Sequence, residues 1–135
     1  MKKWKDENRD AWRKLHRERH SKRRAEDPIF AMMARCRGRI AHFLRKKGMR
    51  KGCSTQKMIG CNWDELAAHI ESRFTDGMTW ENRGLWEIDH IIPLASVKTE
   101  EDIQRLCHFS NLQPLWREDN RIKSDKIPEL VVDII

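Results

Sequence analysis

The amino-acid sequence predicts an α+β fold that is mainly helical, with a hairpin-and-helix unit in its C-terminal half. Three observations predict it. Apolar residues recur at steps of three and four through 28–47 and again through 62–74, the period of helices with one buried face. Two short runs, 85–92 and 112–116, have the length and residue types of strands. A polar segment at 117–126 follows the second run directly and suits a short helix.

The chain is 135 residues long, the size of one ordinary domain with a modest core, and too short for a two-domain enzyme around a large cofactor pocket. Hydrophobic residues make up 39% and charged residues 36%, with six Trp and four Phe available to anchor packing. Such a chain folds but buries little.

Residues 3–26 are almost wholly polar and carry only a thin apolar stripe of Trp4, Ala11, Trp12 and Leu15, with no Gly or Pro to interrupt a helix. Such a helix is marginal alone and orders along a partner or remains a solvated arm. Asp27-Pro28 has the form of an N-cap followed by Pro at the first helical position, and Ile29, Met33, Cys36, Ile40 and Phe43 or Leu44 then mark the buried stripe. Gly48 supplies a stop. The opposite face presents Arg35, Arg39, Arg45, Lys46 and Lys47, which suit phosphate contact and equally suit any soluble amphipathic helix.

A basic connector at 48–60 leads to Asn62-Trp63-Asp64-Glu65, a capping-box pattern, with Leu66, Ile70 and Phe74 as the stripe and Asp76-Gly77 as the expected end. A loop at 77–84 has Trp80 to pin it. The strand at 85–92 is closed by Pro93, and Thr99 caps a short helix that turns Ile103 and Leu106 or Cys107 inward. Pro114 restricts the second strand to an edge or an irregular pairing. The apolar tail 127–135 is expected to dock on the body or on a second subunit, which leaves a homodimer open.

Charge divides the chain. Residues 1–52 hold 19 Lys/Arg against 6 Asp/Glu, net +13, whereas residues 53–135 hold 9 against 15, net −6. A polycation of that density points to a polyanionic partner, nucleic acid before an anionic membrane surface. No run approaches the ~20 apolar residues of a spanning helix, and MKKWKDENRD lacks a signal peptide's apolar core, so no membrane partner and a cytoplasmic location are expected. Cys36, Cys53, Cys61 and Cys107 form no C-x-x-C pair and are expected to be free thiols. Cys53, Cys61, Cys107 and His108 make a known zinc ligand set, but their spacing does not support a structural zinc.

The chemistry-bearing region is WEIDHIIPLAS and then CHFSNLQPLWREDNRIKSDK. Each residue alone has an ordinary explanation, since an Asp-His pair at a strand end is commonly a satisfied polar pair. Together, a strand ending in Asp89-His90, an Asn-Leu-Gln at 111–113, and a short helix bearing Asn120 three residues before Lys123 resemble the HNH (ββα-metal) nuclease motif, in its variant with Asn at the last position. The resemblance is specific across 85–126. It extends upstream through GCNWDELAAHIESRF and GMTWENRGLWEIDH, which look like the lead-in of small phage and bacterial HNH endonucleases.

The resemblance implies a metal-dependent endonuclease acting on DNA, encoded by a phage or its bacterial host, with 1–52 a basic helical DNA-binding arm and 53–135 the nuclease domain. Asp89 and Asn120 would be the metal ligands, and all-oxygen ligation favours one Mg²⁺ or Mn²⁺. His90, on the other side of the strand end, would be the general base, with a near-neutral pKa and activity rising as it deprotonates. Asn111 would bond the backbone and hold the hairpin loop so that His90 is aimed. Lys123 and Arg121 would contact the scissile phosphate or its neighbour, or are solvated surface cations. Glu87 supports the metal site or pairs with an arginine, and His108 touches DNA or metal or is a surface or core histidine. His16, His20, His42 and His69 read as incidental, and Trp80, Trp86 and Trp116 as core and loop anchors. The alternative to an enzyme is a non-catalytic nucleic-acid-binding protein that retains the HNH fold.

Overall fold

A computed structural model describes residues 6–50, 52–124 and 126. Trp4 and the tail 127–135, with the docking and pairing expected of it, lie outside these residues. The fold is α+β and mostly helical. Its elements run α1 (Arg9–Glu26), α2 (Pro28–Lys46), α3 (Thr55–Ile59), α4 (Trp63–Ser72), β1 (Trp86–His90), a 3₁₀ turn at Leu94–Ser96, α5 (Glu100–Cys107), a second 3₁₀ turn at Phe109–Asn111, β2 (Leu112–Trp116) and α6 (Arg117–Lys123).

The caps form where the local chemistry places them. Asp27 accepts hydrogen bonds from the backbone N–H groups of Ile29 and Phe30, and Pro28 opens α2. Asn62 with Glu65, and Thr99 with Asp102, form reciprocal capping boxes at α4 and α5. Four boundaries depart from expectation, two of them slightly: β1 runs Trp86–His90 rather than 85–92, and α6 ends at Lys123 rather than at 126. The connector 48–60 contains α3, capped by Ser54 and ended by Gly60 at φ 84, where a left-handed conformation suits glycine. Helix α4 stops at Ser72 rather than at Asp76, because Thr75 to Met78 close a separate turn through Met78 N–H to the Thr75 carbonyl at 3.0 Å.

β1 and β2 pair antiparallel with Asp89 opposite Gln113 and His90 opposite Leu112, forming a two-stranded sheet. The hairpin is wide, its connection holding both 3₁₀ turns and α5. α6 then starts directly after β2, and the Arg117 N–H bonds the Leu85 carbonyl at 3.1 Å.

Helix α2 is the spine of the core. Met32 and Cys36 pack with Ile59, Leu66, Ile70, Met78, Trp86, Ile88 and Leu112, while Ile40 and Leu44 pack with Leu94, Val97, Ile103, Leu106 and Cys107. The charge boundary at residue 52 is therefore not a packing boundary, since α2 belongs to the same body as the sheet. Among the described residues, α1 and α6 bury none of their own and lie outside both clusters, α6 against the sheet and α1 along α2. Phe74, Trp80 and Trp86 form an edge-on aromatic cluster with centroids 5.2 to 5.5 Å apart, so the tryptophans of the 77–86 region serve as anchors. Among the described residues, no helix is long and apolar enough to cross a membrane.

Candidate active site

The end of β1 is where buried polar groups collect. Asp89, His90 and Asn111 are all buried, at 2%, 5% and 8% exposure. Buried polar groups must find partners, and most of these do. Asn111 accepts from the Ile92 N–H at 2.9 Å and donates through Nδ2 to the Ile92 and Leu106 carbonyls at 3.0 and 2.8 Å. Its own carbonyl accepts from the Ile91 N–H at 2.8 Å. The residue thus stitches the chain just past His90 to the end of α5.

Asp89 has both carboxylate oxygens engaged. Lys123 Nζ lies 3.3 Å from Oδ1, and Gln113 Nε2 donates to Oδ2 at 3.0 Å. The Lys123 ammonium also donates to the His90 carbonyl at 3.0 Å, and its side chain is only 13% exposed. Lys123 is therefore not a free surface cation. Arg121, two residues before it on α6, is exposed.

Glu87 and Asp89 share one face of β1, about 7 Å apart by strand geometry. Asn120 donates through Nδ2 to Glu87 Oε2 at 2.6 Å, and Arg117 Nε lies 3.5 Å from Glu87 Oε1. Asn120 thus reaches the strand face that carries Asp89, held there by Glu87, which serves the arginine and the amide together.

His90 is the exception among the buried groups, because Nδ1 has no hydrogen-bond partner among the described residues. Burial pushes its pKa down to about 3, with Arg39 and Lys123 adding to the shift. This corrects the near-neutral pKa expected from the sequence: the imidazole is already neutral well below pH 6.5, and no rise in activity near that pH follows from it. The physical reason is the loss of water around the ring, in the company of two cations.

The outward carbonyls of β1 are each met by a cation. Arg35 Nη1 donates to the Trp86 carbonyl and to that of Arg83, both at 3.4 Å, Arg39 Nη1 donates to the Ile88 carbonyl, and Lys123 takes that of His90. An edge strand with unpaired carbonyls is a liability, and here α2 and α6 cover it. Arg35 and Arg39, expected to grip phosphate, are at least partly committed to this task. Arg45, Lys46 and Lys47 are exposed.

A cleft of about 520 Å³ opens over Asp89 and His90, walled by Arg39, His42, Phe43, Lys46 and Lys47 from the α2 side, by Pro93 to Ala95, and by Lys123 and Ser124. Among the described residues, Asp89 is the one acidic side chain lining it. Sequence reasoning missed Gln113 as a partner of Asp89 and treated His42 as incidental, although its place on the cationic face of α2 was a usable signal. His108 is structural: its ring lies so close to Gly60 that a Cβ there would sit 2.8 Å from Cδ2, and Nδ1 pairs with Ser110 Oγ at 2.8 Å. Among the described residues, no three His, Cys, Asp or Glu side chains gather into a metal-binding group, the zinc set Cys53, Cys61, Cys107 and His108 included.

The chain is similar to two proteins of Acanthamoeba polyphaga mimivirus. It is 32% identical over 122 residues to "Uncharacterized protein L246", a match covering 88% of this chain and 53% of that protein. It is 36% identical over 115 residues to "Uncharacterized protein L426", covering 81% of this chain and 48% of that one. The chain thus spans about half the length of the curated relatives it matches. No family model matches the chain, and no solved structure matches it.

Proposed function

We propose that this chain is a metal-dependent DNA endonuclease of the HNH (ββα-metal) type, hydrolysing phosphodiester bonds in the cleft over Asp89 and His90. The observation that carries the reading is the convergence, at one end of a β1–β2 hairpin followed directly by α6, of Asp89, His90, Asn111 and Lys123 beneath a cationic wall.

One hard divalent ion would be held by Asp89, a buried carboxylate with a cation at 3.3 Å, and by Asn120, whose Nδ2 is bonded to Glu87 on the same strand face and whose Oδ1 would be the atom offered to the ion. Two oxygen donors without a His or Cys cluster suit Mg²⁺ or Mn²⁺ rather than zinc. When bound, such an ion relieves charge on the phosphate and the departing oxygen. His90 would take the proton of the attacking water at Nε2, while Asn111 keeps the ring in place by fixing the chain at Ile91 and Ile92. With a pKa of about 3 the ring by itself is a weak base, and a bound phosphate, by opposing the charges of Arg39 and Lys123, would raise its basicity. Lys46 and Lys47 hold the phosphate backbone across the mouth of the cleft, and α1 extends the cationic surface.

The alternative, a non-catalytic nucleic-acid-binding protein, draws its support from Lys123 and Gln113 already satisfying Asp89. A plasmid-nicking assay separates the two. With Mg²⁺ or Mn²⁺ the protein nicks supercoiled DNA and chelator stops it, while His90→Ala lowers the rate by about a hundredfold or more and leaves DNA binding near its original strength. Undiminished nicking by that variant removes His90 from its role; DNA binding with no metal-dependent nicking leaves the binder.

A further inference from the structure

Asp89 lies among cations. Of the described side chains lining its cleft, Arg39, Lys46, Lys47 and Lys123 carry positive charge and no second carboxylate opposes them. The cation already on Asp89 is Lys123, held between Oδ1 at 3.3 Å and the His90 carbonyl at 3.0 Å, with most of its side chain out of water. A divalent ion arriving at Asp89 must compete with this ammonium for Oδ1 or sit beside it, facing the α2 cations as well. Like charges in a partly dry cleft repel strongly, so the ion alone is poorly received.

A nucleic-acid phosphate changes that balance. Its negative charge supplies what the cleft lacks, an oxygen ligand for the ion and a counter-anion for the freed ammonium. We propose that Lys123 is a resident counter-cation for Asp89, so that the divalent ion and the DNA phosphate load the cleft cooperatively, Lys123 passing from the carboxylate to the phosphate as they enter. The inference rests on the nuclease reading and adds to it how the site is regulated: the protein without DNA holds its metal weakly. Coupling is reciprocal, so the ion must strengthen DNA binding by the same factor. Lys123 acts here as a positioning residue, through Asp89.

The test measures Mn²⁺ binding to the full chain by the paramagnetic resonance of free Mn²⁺, with and without a short DNA duplex, in a His90→Ala background that keeps the duplex intact. Added duplex is expected to tighten Mn²⁺ at least about tenfold. Lys123→Gln is expected to raise Mn²⁺ affinity without duplex by about tenfold and to reduce the enhancement by duplex below about threefold. Lys123→Arg, which keeps a cation on Asp89 and guards against misreading a folding defect, retains the enhancement. Equal Mn²⁺ affinity with and without duplex, or unchanged coupling in Lys123→Gln, overturns the inference and leaves the nuclease reading standing. No Mn²⁺ bound by any version under either condition removes both.

Discussion

Helices α1 and α2 are consecutive, nearly equal in length at 18 and 19 residues, and both rich in arginine, yet six side chains of α2 are buried and none of α1. The difference lies in what their cations do. On α2, Arg35 and Arg39 tie down carbonyls of β1, while Lys46 and Lys47 line the cleft. On α1 the guanidinium groups have little protein to serve: Arg23 lies over the Phe30 ring at 4.1 Å, and Arg9 lies 3.9 Å from Asp6 in an exposed pair. Positive charge in a sequence therefore marks two different things here, a structural clamp in one helix and a surface in the next.

The widest separation between the two helices is expected in local opening. A Leu15→Cys variant places a reporter thiol on α1 where the native side chain is 45% exposed, whereas Cys36 on α2 is 7% exposed. Burial pushes the Cys36 thiol up to about 12, against the opposing pull of Arg39 and Arg35, so at about pH 8 it stays protonated and inert. Alkylation followed by peptide mapping should show the introduced α1 thiol modified about a thousandfold or more faster than Cys36, since Cys36 reacts only when the core opens. Comparable rates would mean that α2 is no more anchored than α1.

Stability should separate them next. Ile40→Ala removes a side chain that is 2% exposed and joins α2 to the packing around Leu106 and Cys107, and about 2–5 kcal/mol of stability should go with it. Leu15→Ala on α1 should change stability by no more than about 0.5 kcal/mol. Chemical denaturation of both variants reads the difference. A large loss from Leu15→Ala would show that α1 packs in solution on something that the described residues do not contain.

How far this contrast could be read from sequence depends on which interaction is asked about. The caps at Asp27, Asn62 and Thr99 were legible because a cap is local, its donor and acceptor lying within three residues. The stripes of α2 and α4 were legible in part: Cys36, Ile40, Leu44, Leu66 and Ile70 are buried as expected, but Phe30 and Met32 rather than Met33 fill the start of α2, and Phe74 lies past the end of α4. Helix α3 was not, since five residues are too few to display a period. At the candidate site the residue types Asp89, His90 and Asn111 stood out, but their environment did not. Lys123 and Gln113 reach Asp89 from 34 and 24 residues away, and Arg39 reaches β1 from 49 residues before it. No pattern along the chain encodes such pairings. The depressed pKa of His90 follows from them and from burial, and so was invisible as well.

The smallest effect tests the surface itself. At about 100° per residue, Arg9, Trp12, Arg13, His16, Arg17, His20, Arg23 and Arg24 fall within an arc of about 140° of α1 that contains no acidic side chain. Asp10, Glu18 and Glu26 lie outside it, and Lys14, Glu18 and Lys22 follow one another at steps of four on the opposite side. The rings of Trp12, His16 and His20 follow one another along the arc with centroids 5.0 and 4.3 Å apart, the first pair stacked and the second tilted, and end edge-on against Phe30. Apart from Trp12 the arc lacks the large apolar side chains that an interfacial membrane helix requires, so a phosphate backbone suits it better than a lipid surface. If DNA lies along this arc, Arg13→Gln with Arg17→Gln should weaken binding in chelator and flatten the slope of log K against log salt by about two, one per lost phosphate contact. Lys14→Gln with Lys22→Gln removes the same charge from the other side and should leave the slope nearly unchanged. Equal effects from both pairs would make α1 a diffuse polycation with no preferred face, and the distinction between clamp and surface would then rest on α2 alone.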